Sequence, residues 1–189
     1  SYQEANLATS MEAMKTWFVH TLNDINQKVF HYAQIHPDCQ GMGTTLVACM
    51  ISDDLILGVN VGDSRIYGLD REHQRITYDH SLVFDMMSQG QISEAQAEIH
   101  PRRNVLTNAM GIDPVVRLDF FELDSATYQA ILLCSDGLHG YVSKDKITRV
   151  LENAKMDEAE KVATLVDLAS DAGGLDNITC ILIALENKS

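Results

Sequence analysis

Positive charge is scarce in this sequence of 189 residues. Lys and Arg total 14 against 27 Asp and Glu, which leaves a formal net charge of −13. Because an acidic surface repels nucleic-acid phosphates and anionic lipid head groups, we expect no nucleic-acid partner and no membrane partner. The excess of carboxylates has two interpretations that the composition leaves open: solubility, or the convergence of a few carboxylates on divalent cations.

Other features are absent too. No stretch approaches the about 20 apolar residues that a membrane-spanning helix needs, and the sequence shows no basic-then-apolar signal peptide. None of the four cysteines lies in a CxxC pair, which argues against a zinc site. Cys49, Cys134 and Cys180 fall in apolar, strand-like stretches. We therefore expect them to be small core residues rather than disulfide partners, in a reduced, cytoplasmic protein.

The sequence has no internal repeat, no low-complexity tract and no shift in composition that would mark a linker. With 46% hydrophobic residues the chain is long enough for one sizeable core and short for two. We therefore expect one domain over residues 1–189.

Hydrophobic periodicity predicts a long helix followed by strands. Apolar residues advance by three or four from Leu7 to Val29, which is typical of one face of an amphipathic helix over about residues 5–34. Apolar and β-branched runs separated by turn signals, among them the pair Asp53 and Asp54, then predict an antiparallel meander. Its strands are expected over residues 44–52, 55–62, 64–70 and 74–78.

The second half of the sequence mixes helices with short strands. Helices are predicted near 81–90 and 93–99, the second beginning with a capping-box pattern of Ser93 and Gln96. Two more helices are predicted over 143–153 and 157–172. Further strands are expected over residues 104–108, 116–123, 129–135 and 177–186. This order of elements favours an α+β domain whose helices cover the faces of sheets.

Three aspartates share one local context. Asp63 in NVGDSRIY, Asp136 in LLCSDGLHGY and Asp176 in GGLDNITC each lie in a turn that abuts an apolar strand. Carboxylates at strand ends are anchored by the sheet yet exposed at its rim, so several strands can direct oxygen atoms to one point. Because Mg²⁺ and Mn²⁺ prefer oxygen ligands, we expect the three carboxylates to meet around divalent cations.

Six motifs between residues 41 and 179 resemble, in the same order, those of bacterial type 2C protein serine/threonine phosphatases. They are GMGTTLVA (41–48), VGDSRIY (61–67), TYDHSLV (77–83), NVLTNAMG (104–111), LLCSDGL (132–138) and GGLDNIT (173–179). The resemblance implies a four-layer α/β/β/α sandwich with two antiparallel sheets. It also implies hydrolysis of phosphoserine and phosphothreonine esters on proteins, assisted by two or three Mn²⁺ or Mg²⁺ ions.

The resemblance implies roles for individual residues as well. Asp136 and Asp176 would ligate the metal pair, and Asp63 would contribute to a third, weaker ion. The residues expected to hold the motif loops in shape are Gly137, Asn177, Ser64 and Arg65. The attacking group would be a water activated by the metal ions, so no side-chain nucleophile is required. Expected partners are phosphorylated proteins and a serine/threonine kinase that the phosphatase opposes.

Two histidines lie close to the motifs. His80 in TYDHSLV and His139 in SDGLHG could each serve as a general acid near neutral pH. A structural or solvent-exposed position is the alternative for both.

The family's first motifs do not occur in this sequence. They are a strand with a phosphate-binding Arg, and a DGxGG motif whose Asp bridges the two metal ions. In addition, Gly140 stands where many relatives carry a further Asp. We therefore expect the chain to be the C-terminal part of a catalytic domain and a fragment of a longer protein. Two alternatives stay open: a catalytically silent module that binds a phosphoprotein or a regulatory partner, and a hydrolase of small phosphate esters.

Overall fold

The structure is a computed structural model that describes residues 10–52, 55–70 and 73–185. The chain divides into two compact units. The first unit comprises residues 1–63 and 78–123, and the second comprises residues 64–77 and 124–189. One catalytic domain over residues 1–189 stays a prediction.

Helices and strands alternate irregularly along the chain. The helices are α1 (Met11–Ile35), α2 (Leu82–Ser88), α3 (Glu94–Glu98), α4 (Asp136–His139), α5 (Lys144–Leu151) and α6 (Glu158–Asp171). The strands are β1 (Leu46–Ser52), β2 (Leu55–Val61), β3 (Arg65–Leu69), β4 (His73–Arg75), β5 (Asp119–Asp124), β6 (Ala130–Cys134) and β7 (Cys180–Ala184). They form a three-stranded sheet in the order β1-β2-β5 and a four-stranded sheet in the order β4-β3-β6-β7.

The first unit packs α1 on the three-stranded sheet. Helix α1 begins after Ser10, whose hydroxyl oxygen accepts a hydrogen bond from the Ala13 amide at 3.2 Å. The apolar spacing of the sequence brings one face of α1 onto β2. The buried core of this unit consists of Met14, Phe18, Leu22, Leu57, Val59, Val61, Met110 and Val116. The predicted helix is confirmed from Met11 onwards, and residues 5–9 lie outside the described residues.

The second unit packs helices on the four-stranded sheet. Strand β3 pairs antiparallel with both β4 and β6, and β6 pairs antiparallel with β7. Apolar residues of β3 and β6 meet those of α4, α5 and α6 on one face of this sheet. The core consists of Tyr67, Leu69, Leu132, Cys134, Leu138, Val142, Ile147, Leu151, Leu165 and Ala169.

Several predicted elements are confirmed. Helices α2, α3, α5 and α6 lie where the periodicity placed them, and the capping box of α3 forms in both directions: Gln96 N donates to Ser93 Oγ at 3.3 Å, and Ser93 N donates to Gln96 Oε1 at 2.8 Å. Cys49, Cys134 and Cys180 lie in strands, but only Cys134 is a buried core residue as predicted, whereas Cys49 and Cys180 are half-buried. Among the helices of the described residues, none combines the length and the hydropathy needed to cross a membrane.

The prediction of a four-strand meander was wrong. Strands β1 and β2 do form an antiparallel hairpin, but β3 and β4 belong to the other sheet. Hydrophobic patterning marks a strand and its buried face but does not encode which strand lies beside it. The turn expected at Asp53 and Asp54 lies outside the described residues.

The strand predicted over residues 104–108 was also wrong. Only Leu106 forms an isolated bridge, to Ser81. The flanking backbone groups bind a loop instead: Thr107 N donates to the His80 carbonyl oxygen, and Leu82 N donates to the Val105 carbonyl oxygen, both at 2.9 Å. These bonds pair the segment with residues 80–82 rather than with a strand of either sheet.

Candidate metal centre

Asp136 and Asp176 lie close enough in the second unit for their charges to interact. Asp136 is the first residue of α4, directly after β6, and is half-buried; Asp176 is exposed in the loop between α6 and β7. Burial and the negative charge of Asp176 raise the pKa of Asp136 above its ordinary value, against the backbone hydrogen bonds at the start of α4 and the positive charge of Arg65. The two carboxylates therefore repel each other, and a cation bound between them would remove that repulsion.

A glycine at position 137 lets these two segments touch. A Cβ atom added there would overlap the carbonyl oxygen of Asn177 and lie 2.8 Å from its carbonyl carbon. Both atoms belong to the backbone, so they cannot move aside as a flexible side chain would. Gly137 is therefore needed for the loop that carries Asp176 to lie against the first turn of α4.

Ser135 ties the same loop to the end of β6. Its backbone N–H donates to the Thr179 carbonyl oxygen, its hydroxyl donates to the Asn177 carbonyl oxygen, and its hydroxyl oxygen accepts from the Thr179 N–H, each at 3.0 Å. Within the loop, Asn177 N donates to Asp176 Oδ1 at 2.7 Å. Ser135 was not among the residues predicted from the sequence, because its partners Asn177 and Thr179 lie 42 and 44 residues away and no local pattern indicates such contacts.

Arg65 approaches the carboxylate pair from β3. It pairs in register with Cys134, the last residue of β6, and its Nη1 donates to the Tyr67 hydroxyl at 3.2 Å. Because the positive charge of Arg65 lowers the pKa of Asp136, Arg65 has an electrostatic effect on the site in addition to the supporting role expected from the sequence.

Asp63 belongs to the first unit, where it follows Gly62 at the end of β2 and is half-buried. Gly62 has φ +105°, and a Cβ atom there would lie 2.6 Å from the Cβ of Thr45. Only glycine fits this combination of backbone angle and close approach. A meeting of Asp63 with Asp136 and Asp176 stays a prediction, and Ser64, which is buried in the second unit, stays a predicted supporting residue.

His80 is a structural residue of the first unit. It is 1% exposed, and its Nδ1 accepts a hydrogen bond from Gly62 N at 3.1 Å while Nε2 faces Asp119 Oδ2 at 2.9 Å. A third contact joins Nδ1 to Asn108 Nδ2 at 2.7 Å. His80 N also donates to the Gly62 carbonyl oxygen at 2.9 Å, so this one residue fixes both backbone groups of the glycine before Asp63. This geometry favours a structural role for His80 over that of a general acid. The other candidate, His139, is the last residue of α4 and is half-buried.

The donor set in the second unit fits a hard divalent cation. Two carboxylates with like charge lie at the rim of a sheet, the half-buried Asp136 and the exposed Asp176, and oxygen atoms are the ligands that Mg²⁺ and Mn²⁺ prefer. Across residues 10–52, 55–70 and 73–185, no group of three or more His, Cys, Asp and Glu side chains is placed to hold an ion. Two carboxylates suffice for a Mg²⁺-like site, because such ions are commonly held by one or two carboxylates together with waters and substrate phosphates.

Comparisons with known proteins point to one family. A family model described as Protein phosphatase 2C matches residues 1–169. The serine/threonine phosphatase stp of Listeria innocua is 36% identical over 184 residues, which cover 97% of this chain and 73% of that relative. The protein phosphatase PhpP of Streptococcus pneumoniae is 36% identical over 181 residues, which cover 95% of this chain and 72% of that relative.

A solved structure confirms the fold class. The crystal structure of the serine/threonine phosphatase Stp1 from Staphylococcus aureus matches with a TM-score of 0.90 and 38% identity, over 97% of this chain and 72% of that chain. The α+β fold that the six motifs implied, with two antiparallel sheets and helices, is therefore the fold of this chain.

Proposed function

The chain belongs to the protein phosphatase 2C family, and from this premise we propose that it hydrolyses phosphoserine and phosphothreonine esters on proteins, with Asp136 and Asp176 as metal ligands. The observation that supports these site residues is the pair of repelling carboxylates, held together by Gly137 and Ser135. Asp63 is our proposed ligand of a third, weaker ion. Residues 1–189 would belong to one catalytic domain.

The ions would be Mn²⁺ or Mg²⁺. When bound, such ions lower the pKa of a water molecule and neutralise the charge of the phosphoryl oxygens during in-line displacement. The protein's share is to hold Asp136 at the start of α4 and Asp176 on a loop fixed to the end of β6, so that their oxygens stay in place when substrate binds. Arg65 adds one positive charge beside this pair.

The net charge explains why cations are needed. A net charge of −13 disfavours the approach of a negatively charged phosphate group, and the carboxylate pair makes the site itself negative. Asp136 and Asp176 would hold the divalent cations whose charge would offset this negative charge for a phosphate group. Cysteine chemistry is not required, because Cys134, the cysteine nearest the pair in sequence, is 2% exposed in β6.

A catalytically silent module is the less favoured alternative, since the similar proteins are named as phosphatases. We further propose a cytoplasmic enzyme that opposes a serine/threonine kinase, because that setting supplies the phosphoproteins on which such an enzyme acts.

Two measurements on the whole catalytic domain, of which residues 1–189 are a part in this proposal, test it. Isothermal titration with Mn²⁺ should show binding that Asp136→Asn weakens by at least tenfold, because a ligand is lost and the remaining carboxylate is no longer part of a pair. Hydrolysis of a phosphothreonine peptide should require Mn²⁺ and should fall at least about a hundredfold in Asp136→Asn, which corresponds to about 3 kcal/mol of transition-state stabilisation. Asp145→Asn, an exposed carboxylate in the first turn of α5, is the matched control and should change neither value.

Three outcomes would contradict the proposal. Hydrolysis that continues in the presence of EDTA would show that the reaction does not depend on divalent cations. Full activity in Asp136→Asn would show that Asp136 is not a metal ligand that catalysis requires. Capture of a phosphopeptide without Mn²⁺ binding at millimolar concentration would favour the silent module, and faster hydrolysis of a small aryl phosphate than of the peptide would favour an esterase of small phosphates.

A further inference from the structure

Two cysteines lie directly opposite each other on neighbouring strands of the second unit. Cys134 ends β6, Cys180 begins β7, and the antiparallel register pairs them. In the described part of the chain, neither cysteine is part of a disulfide bond. This pairing does not follow from the sequence, because the two positions are 46 apart along the chain.

Hydrogen bonds on either side define the type of this pair. Ser135 N donates to the Thr179 carbonyl oxygen at 3.0 Å, and Leu185 N donates to the Gln129 carbonyl oxygen at 2.9 Å. Hydrogen-bonded and non-hydrogen-bonded pairs alternate along an antiparallel ladder, and both of these bonded pairs fall an odd number of positions from the cysteines. The cysteines therefore form a non-hydrogen-bonded pair, in which the two Cα atoms are about 4.5 Å apart.

This geometry suits a disulfide bond. Disulfides join Cα atoms about 4.4–6.8 Å apart, and the side chains of directly paired residues point to the same face of the sheet. Cys134 is part of the core beneath the helices, and Cys180 packs against that same core. The Cβ atoms of such pairs are about 4.5–5.5 Å apart, slightly more than the about 3.8 Å typical of a disulfide, so the bond would carry some strain. Strained disulfides are more readily reduced than relaxed ones.

The two thiols differ in accessibility. Cys134 is 2% exposed, whereas Cys180 is half-buried on β7, which is an edge strand of its sheet. An oxidant therefore reaches Cys180 first, and Cys134 is positioned as the thiol that resolves the product. Burial raises the pKa of the Cys180 thiol, so only a small thiolate fraction reacts near neutral pH and the oxidation should be slow.

We propose that Cys134 and Cys180 are a modification site: a dithiol that a peroxide converts into a reversible cross-strand disulfide. In the first step the Cys180 thiolate attacks one peroxide oxygen, the S–O bond forms, the O–O bond breaks, and the leaving oxygen takes a proton to become water. In the second step the Cys134 thiolate attacks the Cys180 sulfur, the S–S bond forms, and the S–O bond breaks with loss of a second water. Two thiols thereby lose two electrons and two protons to one molecule of hydrogen peroxide.

The proposed disulfide would lie next to the two segments that carry Asp136 and Asp176. Cys134 lies two residues before Asp136, and Cys180 lies four residues after Asp176. Between them, Ser135 already ties the loop to the end of β6 through non-covalent bonds. The disulfide would add a covalent bond at the same strand ends, and a thiol pair inside a reduced compartment would form it only transiently.

The test is peptide mapping of the whole chain after treatment with hydrogen peroxide. We expect alkylation, proteolysis and mass spectrometry to reveal one linked peptide that contains Cys134 and Cys180, lighter than the separate peptides by two hydrogen atoms, and to lose it after dithiothreitol. The oxidised protein should also unfold at a higher temperature, because the cross-link restricts the unfolded chain. Cys49 is the internal control: it is half-buried in β1 and faces Gly58 rather than a thiol, so it should remain alkylatable.

Serine variants sharpen the result. In Cys134→Ser the resolving thiol is lost, so Cys180 should proceed to sulfinic acid and the gain in unfolding temperature should vanish. Cys180→Ser should leave Cys134 reduced at the same peroxide dose. The proposal is overturned if wild-type Cys180 reaches sulfinic acid without a linked peptide, or if the linked peptides contain Cys39 or Cys49. Peptide mapping of the wild type decides the question even if a variant does not fold, and it requires no phosphatase activity.

Discussion

In the first unit the buried side chain of His80 holds Gly62, the glycine before Asp63. In the second unit a close contact at Gly137 and the hydroxyl of Ser135 hold the loop that carries Asp176. The first arrangement uses both ring nitrogens of His80 and both backbone groups of Gly62. The second also fixes the backbone, yet it leaves two carboxylates repelling each other. The difference teaches that a well-bonded backbone and a pair of repelling carboxylates can coexist in one unit, and that a bound cation would remove this repulsion.

The largest expected effect comes from closing the space at Gly137. Gly137→Ala would place a methyl group on the Asn177 carbonyl, although alanine is the better helix former at a position in α4. We expect a loss of about 3 kcal/mol in the free energy of unfolding, and at least tenfold weaker Mn²⁺ binding because the loop with Asp176 is displaced. Urea unfolding and titration calorimetry measure the two quantities.

The matched control for this substitution is Gly90→Ala. Gly90 has φ +69° and open space around its added Cβ, so alanine there should cost only the about 1–2 kcal/mol of a left-handed backbone. Mn²⁺ binding should be unchanged. If both variants lose the same stability and bind Mn²⁺ alike, the contact between Gly137 and Asn177 does not hold the metal centre together.

The second prediction concerns a buried histidine in the second unit. His73 is 5% exposed, and its Nδ1 lies 3.1 Å from Thr148 Oγ1, whose hydroxyl donates to the Lys144 carbonyl oxygen at 2.9 Å. Thr148 therefore accepts from His73, and Nε2, which has no hydrogen-bond partner among the described residues, carries no proton. Burial and the charge of Lys144 lower the pKa of His73 from 6.5 to about 4.

A depressed folded-state pKa fixes the sign of the pH effect. The unfolded chain binds a proton at His73 below about pH 6.5 while the folded chain resists it down to about pH 4, so stability is present above pH 6.5 and is lost as pH falls between these values. The loss amounts to up to about 3 kcal/mol. Urea unfolding at pH 7.5 and pH 4.5 should show that the wild type loses free energy of unfolding on acidification and that His73→Gln loses less. Equal losses would mean that other groups govern the acid sensitivity.

The third prediction concerns the hydrogen bonds of His80 in the first unit. His80→Asn keeps an acceptor near Gly62 N but is too short to reach Asp119, so we expect a loss of about 1–2 kcal/mol in the free energy of unfolding. Asp119→Asn retains an oxygen that can accept from His80 and should cost less than half as much. If the two variants are equally unstable, the charge of Asp119, which also meets Arg117 at 3.3 Å, matters more than its hydrogen bond to His80.

The smallest effect should come from removing one charge of the pair. Because the folded-state pKa of Asp136 is raised, its contribution to stability is present at low pH and is lost as pH rises through that pKa. Asp176→Asn removes the like charge, so at pH 7 the metal-free variant should be more stable than the wild type by less than about 1 kcal/mol. It should also bind Mn²⁺ more weakly. Thermal unfolding with and without EDTA checks both, and destabilisation of the metal-free variant would show that the carboxylates do not repel.

The sequence predicts those parts of the fold that depend on local patterns. The spacing of Met14, Phe18 and Leu22 indicates the buried face of α1, and the apolar run before Asp136 indicates β6. The motifs around Asp136 and Asp176 likewise identify two carboxylates that the structure brings together. In each case the information lies within one short segment.

The rest depends on contacts between distant segments. His80 lies 28 residues from Asn108 and 39 residues from Asp119, and Ser135 lies 42 residues from Asn177. No periodicity records such pairs, so a histidine that could have been a general acid is found to be a buried support. The assignment of β3 to the second sheet has the same origin, because its partner β6 is remote in sequence.

The interleaving of the two units constrains how the protein can be made and cut. The β3–β4 hairpin of the second unit is encoded between two stretches of the first, so the chain passes from one unit to the other after residues 63, 77 and 123. No single proteolytic cleavage can release either unit as a continuous piece, and neither can be expressed alone by simple truncation. The β3–β6 ladder must also wait until residues 130–134 have been synthesised, which favours late, slow acquisition of the second sheet on the ribosome.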